Sequence, residues 1–255
     1  MPAALTPAQK AELAYQAIRR AIIEQALGPG TKLPEDQLGA QFGVSRTLVR
    51  TVLGRLASEA LVDIGNKRSA TVSRPSLDEA RGVFEVRRVL EAEAVRRVVE
   101  RWQPAMGAEL EGHVRDEQDT MKRGEVAASI RLAGEFHVRL AGMTGNALLE
   151  RYLADVVTRC SLILAVYGRP HSPDCACSEH RSLIGALRRR DADAAVALMG
   201  QHLAGIESRA LIAELPRVGL ALGDVLSRYR EHVMPPAPSL SPAFSPVPPP
   251  RRRTA

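Results

Sequence analysis

Between Glu35 and Glu59 the sequence writes two short helices and the tight corner joining them, and this punctuation constrains the chain more than any other feature. The first helix is expected over Glu35 to Phe42 and stops at Gly43, a residue suited to the left-handed turn that ends helices. Ser45 is placed to cap a second helix, which the spacing predicts over Arg46 to Glu59. Within it Val49, Val52, Leu53 and Leu56 fall at i, i+3, i+4 and i+7, one apolar stripe for a core. Thr47, Arg50, Thr51 and Gly54 then face away, with Arg46 at the edge of that exposed face. Two helices around a three-residue turn containing glycine make a helix-turn-helix.

The flanking segments complete a domain. Thr6-Pro7 reads as a capped helix start, followed by the buried stripe Leu13, Ala17, Ile18, Ala21 and Ile22, and Gly28-Pro29-Gly30 ends the segment. After the second short helix, Leu61–Ile64 and Ala70–Val72 are short apolar runs around Gly65-Asn66-Lys67-Arg68-Ser69, a basic hairpin tip. A hairpin in that position is a wing, and Arg74-Pro75 closes the unit, giving a winged helix-turn-helix domain over 1–75. Arginine and threonine near the start of the second helix reach base edges and phosphates in a major groove. Lys67 and Arg68 on the wing are placed for neighbouring phosphates or the minor groove. Solvated charges decorate many amphipathic helices. The succession of capped helix, glycine turn, Arg/Thr face and basic hairpin is what points to double-stranded DNA, and the formal net charge of +6 agrees.

The rest of the chain reads as helical. Ser76-Leu77-Asp78-Glu79 has the capping-box pattern and opens a long helix to about Trp102. A helical period then continues to about residue 234, broken near Gln103-Pro104, Lys122-Gly124, Gly142-Gly145, Gly168-Pro173 and Arg190-Asp191. Nothing there alternates as a strand does, so residues 76–234 are expected to form a bundle of six or seven helices and the fold class is mostly α. Aromatic residues at only 4% favour packed helices over a sandwich. Residues 235–255, dominated by Pro and Ser and closing with Arg251-Arg252-Arg253, cannot bury a core and are expected to be disordered.

The same reading narrows location and chemistry. No apolar run approaches a membrane span, and the N-terminus lacks the hydrophobic stretch of a signal peptide. Three cysteines, Cys160, Cys175 and Cys177, make no disulfide framework, so a cytoplasmic protein is expected. His137 shares a face with Ile130, Ala133, Leu140 and Ala141; His180 with Leu183, Ile184 and Leu187; His202 with Leu198, Met199 and Ile206. One histidine on an apolar face is ordinarily a core residue. Three on different helices of one bundle suit a shared divalent metal, Zn or similar. Cys175-Ala176-Cys177 precedes His180 and offers a thiolate, a redox pair or merely passive loop residues. A three-histidine metalloenzyme and a scaffold binding nothing are the rival readings. No motif supplies a general base or substrate pocket, and neither rival explains the N-terminal unit, so the chain is read as a regulator and not an enzyme.

The stretches Gly28–Leu33, Phe42–Arg50 and Arg55-Leu56 resemble the DNA-binding domain of GntR regulators. That resemblance implies that Arg46, Thr47 and Arg50 contact operator DNA, assisted by Asn66, Lys67 and Arg68. Pro34 departs from the family's common capping serine, Asp36 from a frequent basic residue, and the wing lacks the usual Arg-Gly or His-Gly tip. Over roughly 76–213 the chain is similar to the helical FCD-type domain of the FadR-type branch, through Glu85–Glu91, Glu135-Phe136-His137, Thr144-Gly145-Asn146, Glu179-His180 and Met199–Leu203. The likeness implies a divalent metal on His137, His180 and His202 in a pocket for a small carboxylate effector, with Arg87 and Asn146 beside it. The branch adds an aspartate ligand four residues before the first histidine, where this chain has Ala133. A homodimer on a pseudo-palindromic operator is expected, the effector altering the spacing of its two DNA-reading heads.

Overall fold

The computed structural model describes residues 5–65, 70–167, 174–210 and 221–233. Helix α1 (Pro7–Ile23) starts where Thr6 accepts a bond from the Gln9 amide and Gln9 reaches back to the Thr6 amide. Strand β1 (Lys32–Leu33) leads into α2 (Glu35–Phe42), which ends on Gly43 in the left-handed region at φ 63°. Helix α3 (Arg46–Ser58) is capped by Ser45, which accepts from the Leu48 amide, and it buries Val49, Val52, Leu53 and Leu56. Pro34 stands at the start of α2 with no side-chain cap, so Glu35 and Asp36 in the first turn meet the positive end of the helix unaided.

Strands β2 (Val62–Ile64) and β3 (Ala70–Val72) form the anticipated hairpin, with Val62 opposite Val72 and Ile64 opposite Ala70. The sheet has a third member. Leu33 of β1 pairs antiparallel with Ala70, giving the order β1-β3-β2. Two residues are too few to leave an alternating pattern, which is why β1 is invisible in the sequence.

Among the described residues six helices follow: α4 (Leu77–Arg101), α5 (Pro104–Lys122), α6 (Val126–Gly142), α7 (Ala147–Tyr167), α8 (Asp174–Arg188) and α9 (Ala192–Ala210). Ser76 caps α4 by accepting from the Glu79 amide. A core of Val95, Val98, Leu110, Phe136, Leu140, Ile184, Leu187 and Met199 joins α4, α5, α6, α8 and α9. Phe84, Cys160, Ile163 and Tyr167 make a second cluster between α4 and α7. No helix among the described residues is long and apolar enough to cross a membrane.

One more helix, α10 (Leu222–Val233), lies in the stretch that the sequence joins to the bundle, yet it packs on the N-terminal unit. Val225, Leu226 and Tyr229 enter the same core as Ile18, Ile22 and Leu53, together with Leu162 of α7. Arg230 donates to the Gln41 carbonyl near the end of α2. An amphipathic period reveals that a helix buries one face; it cannot say against what.

Glu24, almost fully buried just past α1, ties these parts together. It accepts from Arg20 of α1 at 2.8 Å and from Arg131 of α6 at 2.9 Å, and Tyr229 of α10 also bonds to it. Burial alone would raise its carboxyl pKa. The Tyr229 and Arg20 hydrogen bonds outweigh that and hold the group below its usual 4.5. Such a carboxylate stabilises the fold above about 4.5 and loses that contribution as pH falls through its lowered native value. Glu24→Gln is therefore expected to cost about 1–3 kcal/mol at pH 7. The gap to the parent should narrow progressively below pH 4.5 in denaturant melts taken across pH; a gap constant with pH would remove the carboxylate's charge from the account.

Candidate functional site

Two arrangements of side chains carry chemistry. The first is the outer face of α3. Thr47, Arg50, Thr51 and Gly54 are exposed and Arg46 stands beside them, as an apolar stripe on the opposite side requires. The two arginines are held by acids at the start of α2. Arg46 Nε lies 2.6 Å from Asp36 Oδ1, and Arg50 Nε donates to both Glu35 oxygens at 2.9 and 3.0 Å. These exposed pairs are readily exchanged for other anions, and meanwhile they orient the guanidinium groups. The pairing was not foreseen, although the oddity of an acid at Asp36 was its visible trace. Arg55, quoted in the same motif, is exposed but lies back along the domain's own surface: its guanidinium lies 3.5 Å from the Tyr15 ring centre and pairs with Glu12. Asn66, Lys67 and Arg68, the expected wing contacts, lie outside the described residues.

The second arrangement is inside the bundle. His137 of α6, His180 of α8 and His202 of α9 are all buried, and one nitrogen from each falls within 4.8 Å of the others. His137 Nε2 and His202 Nε2 are 3.2 Å apart. The opposite nitrogens face carboxylates: His137 Nδ1 is 2.6 Å from Glu91, His180 Nδ1 is 3.1 Å from Glu117 and His202 Nδ1 is 2.5 Å from Glu179. Each Nδ1 therefore holds the hydrogen and donates it to its carboxylate, which leaves three Nε2 lone pairs aimed at one another. His180 Nε2 is buried with no hydrogen-bond partner. Phe136 fixes that ring by stacking on it at 3.9 Å.

Lone pairs so gathered in a buried interior repel unless a cation or a hydrogen donor sits between them. Ligand nitrogens about 2.0–2.1 Å from a tetrahedral metal stand roughly 3.3 Å apart, close to the spacing of His137 and His202. A carboxylate behind each ring is the usual device for fixing a ligating histidine. The residues fit a divalent metal. Electrostatics agree: burial, aided by the nearby charge of Arg87, drives His137 down to about 3 against the pull of Glu91, so the ring stays neutral. Burial works against ionisation of Glu91 as well, but the Arg87 guanidinium and the hydrogen bond from His137 Nδ1–H hold its carboxyl at about 2.

Among the described residues, the group able to ligate comprises the three histidines alone. Ala133, half-buried one turn before His137, brings no oxygen to it. The carboxylates Glu91, Glu117 and Glu179 escaped the sequence reading as partners of the histidines, because they come from three different helices. Arg87 is fully buried, donating to Glu91 at 2.7 Å and to Cys160 Sγ at 3.2 Å, and is thus linked to His137 through one carboxylate. Asn146 has local work: its Oδ1 accepts from the Leu148 and Leu149 amides at the start of α7. Cys177 is buried with its sulfur 3.7 Å from Met121 Sδ. The side chain of Cys175 and the Pro-rich tail lie outside what the structure describes.

Comparison with known proteins agrees with this division. Residues 10–72 match the model for bacterial regulatory proteins of the gntR family, and residues 82–205 match the FCD domain. The HTH-type transcriptional repressor RspR of Escherichia coli K12 is 25% identical over 190 residues, covering 74% of this chain and 83% of that protein. The HTH-type transcriptional repressor NanR of Citrobacter rodentium is 28% identical over 225 residues, covering 77% and 84%. Among solved structures, E. coli McbR/YncC superposes with a TM-score of 0.69 at 21% identity, over 77% of this chain and 94% of that one. A GntR transcriptional regulator from Rhodococcus sp. RHA1 gives 0.66 at 24% identity, over 80% and 98%. With a GntR DNA-binding region joined to an FCD domain, the chain belongs to the GntR family of bacterial regulatory proteins and is a DNA-binding transcriptional regulator rather than an enzyme.

Proposed function

We propose that the protein binds a pseudo-palindromic operator as a homodimer, under the control of a small carboxylate metabolite that reaches a metal held by His137, His180 and His202. The observation that carries the metal is the buried His180 Nε2 without a partner, facing two further Nε2 atoms. A divalent ion there would supply a Lewis-acidic position for a carboxylate. With three protein nitrogens and Ala133 in place of an acid, a coordination position is left to the effector or to water, as in the metal pockets of the FadR-type branch that the sequence resembles. Arg87 is paired with Glu91 behind His137, and Asn146 is the second expected effector contact.

On the DNA side, Arg46, Thr47 and Arg50 read the major groove while Asn66, Lys67 and Arg68 on the wing meet the backbone. Dimerisation finds support in exposed apolar residues on two adjoining helices. Val86 and Val89 of α4 are 50% and 71% exposed, and Leu148 and Tyr152 of α7 are 51% and 48% exposed. One recognition helix reads only a few base pairs, so a two-fold pair is the economical route to specificity.

Fluorescence anisotropy with DNA from upstream of the protein's own gene, against a scrambled duplex at two salt concentrations, tests this. Discrimination is expected to persist at higher salt, with release or tightening on adding effector. Binding that is equal for both duplexes and lost with salt in this experiment and in a genomic selection would reduce the interaction to phosphate attraction.

A further inference from the structure

A cavity of about 530 Å³ opens between the DNA-binding head and the effector domain, in the size range of small-molecule sites. One wall is α1, through Gln16, Arg19, Arg20 and Ile23; the other walls are α6 and α7. Exposed Gln16 lies at the mouth, and buried Val157, Thr158 and Ser161 lie at the floor. On α6 the lining residues Arg131, Gly134, Glu135 and Val138 occupy the face opposite Leu132, Phe136 and Leu140, which line the bundle core. This space is therefore separate from the histidine centre, with one helix between them.

Its chemistry is that of an anion receptor. Three arginines line it against a single carboxylate, Glu135. Glu24 and Glu59 pair with these arginines from behind the lining: Arg19 Nε meets Glu59 at 3.0 Å, while Arg20 and Arg131 meet Glu24. Those pairs fix the guanidinium planes in advance. A guanidinium has five N–H donors, and the bonds described use Nε and Nη2 of Arg19, Nε of Arg20, and Nε and Nη1 of Arg131, so donor capacity is left for a guest. Beside the apolar Ile23, Val138, Ala154 and Val157, the Thr158 and Ser161 hydroxyls and the Gln16 amide add hydrogen-bonding groups; Thr158 accepts from Arg19, Ser161 donates to the Val157 carbonyl and Gln16 donates to Glu12, which leaves further capacity at each.

We propose that this inter-domain cavity is a second ligand site, taking a small hydroxylated anion such as a sugar phosphate or sugar acid. A guest held at once by Arg19 and Arg20 of α1 and by Arg131 of α6 cross-links the DNA-reading head to the effector domain. It thereby biases the position of the head without touching the histidines.

The test uses full-length protein dialysed free of metal, with glucose 6-phosphate, gluconate and neutral glucose as probes at 10 mM and matched ionic strength (about a hundredfold over a Kd near 0.1 mM). Glucose 6-phosphate or gluconate is expected to raise the melting temperature by about 3 °C or more, and glucose to leave it unchanged. Which of the two acts separates a phosphate from a carboxylate guest. Ala154→Trp, which fills the cavity from α7 and removes no ion pair, should abolish the shift while retaining the stabilisation given by added Zn²⁺. Hydrogen exchange on the parent protein checks the place independently of any variant, since the active anion should slow exchange in α1 and at the facing turns of α6 and α7. Three results overturn the proposal: no shift with either anion, an equal shift with glucose, or anion protection confined to α3 or to α8 and α9. If the anion site fails while Zn²⁺ still stabilises the protein, the metal reading stands and only the second site is lost.

Discussion

Arg50→Ala is expected to weaken binding to the cognate operator about 10- to 100-fold, to flatten the preference over scrambled DNA, and to leave the melting temperature essentially unchanged. The reasoning begins with position. Arg50 sits one turn into α3 on the face opposite Val49, Val52, Leu53 and Leu56, so removing its side chain opens no cavity in the core. Its Nε is held by both oxygens of Glu35, and an exposed pair of that kind contributes little to folding. A guanidinium pre-aimed by a carboxylate loses less freedom when it meets a guanine edge or a phosphate. The control is Arg97→Ala, an exposed arginine of α4 paired with Glu93, which removes the same charge away from α3. Equal losses in the two variants, or a uniform loss on cognate and scrambled DNA, would show that α3 supplies charge rather than base reading.

How much of this was legible before any coordinates depends on whether the signal was local. Gly43, Ser45 and the i, i+3, i+4, i+7 stripe of α3 are fixed by residues a few positions apart, and the helix bounds come out within a residue of expectation. The breaks at Gln103-Pro104 and Lys122-Gly124 are local as well, and α5 occupies the space between them. Partners from distant segments were not legible. Glu91, Glu117 and Glu179 read as ordinary helix charges, yet each meets a histidine 46, 63 or 23 positions away. The packing of α10 on α1, the pairing of β1 and the hub at Glu24 fail for the same reason. The inward stripes did predict that three histidines face an interior. That the interior is shared depends on how α6, α8 and α9 pack, and packing is set by the shapes of side chains such as Phe136 and Leu140, which periodicity does not record.

Removing bound metal by chelation and dialysis is expected to lower the melting temperature by about 5–10 °C, with recovery on adding back Zn²⁺. That range follows from about 2.7 kcal/mol of linkage at a hundredfold excess over Kd, and roughly 2–4 °C per kcal/mol for a chain of this size. The stripped site keeps three lone pairs confronting one another in a buried interior, so the loss falls on folding as well as on ligand binding. Substituting His180 by alanine is a poor probe alone, because it also strands Glu117, which is 1% exposed, without its imidazole partner. Ala133→Asp is more discriminating. An aspartate one turn before His137 on α6 adds a carboxylate where the resembling branch carries its fourth ligand, at a half-buried position. That variant should hold metal more tightly and take up a carboxylate effector less readily, since the position left for the guest is then contested by the protein's own oxygen. Measured by metal analysis and titration calorimetry, tighter metal with weaker effector supports a three-histidine site completed by its ligand. If neither the parent nor Ala133→Asp retains metal after dialysis, the metal reading falls and the pocket takes its effector without one.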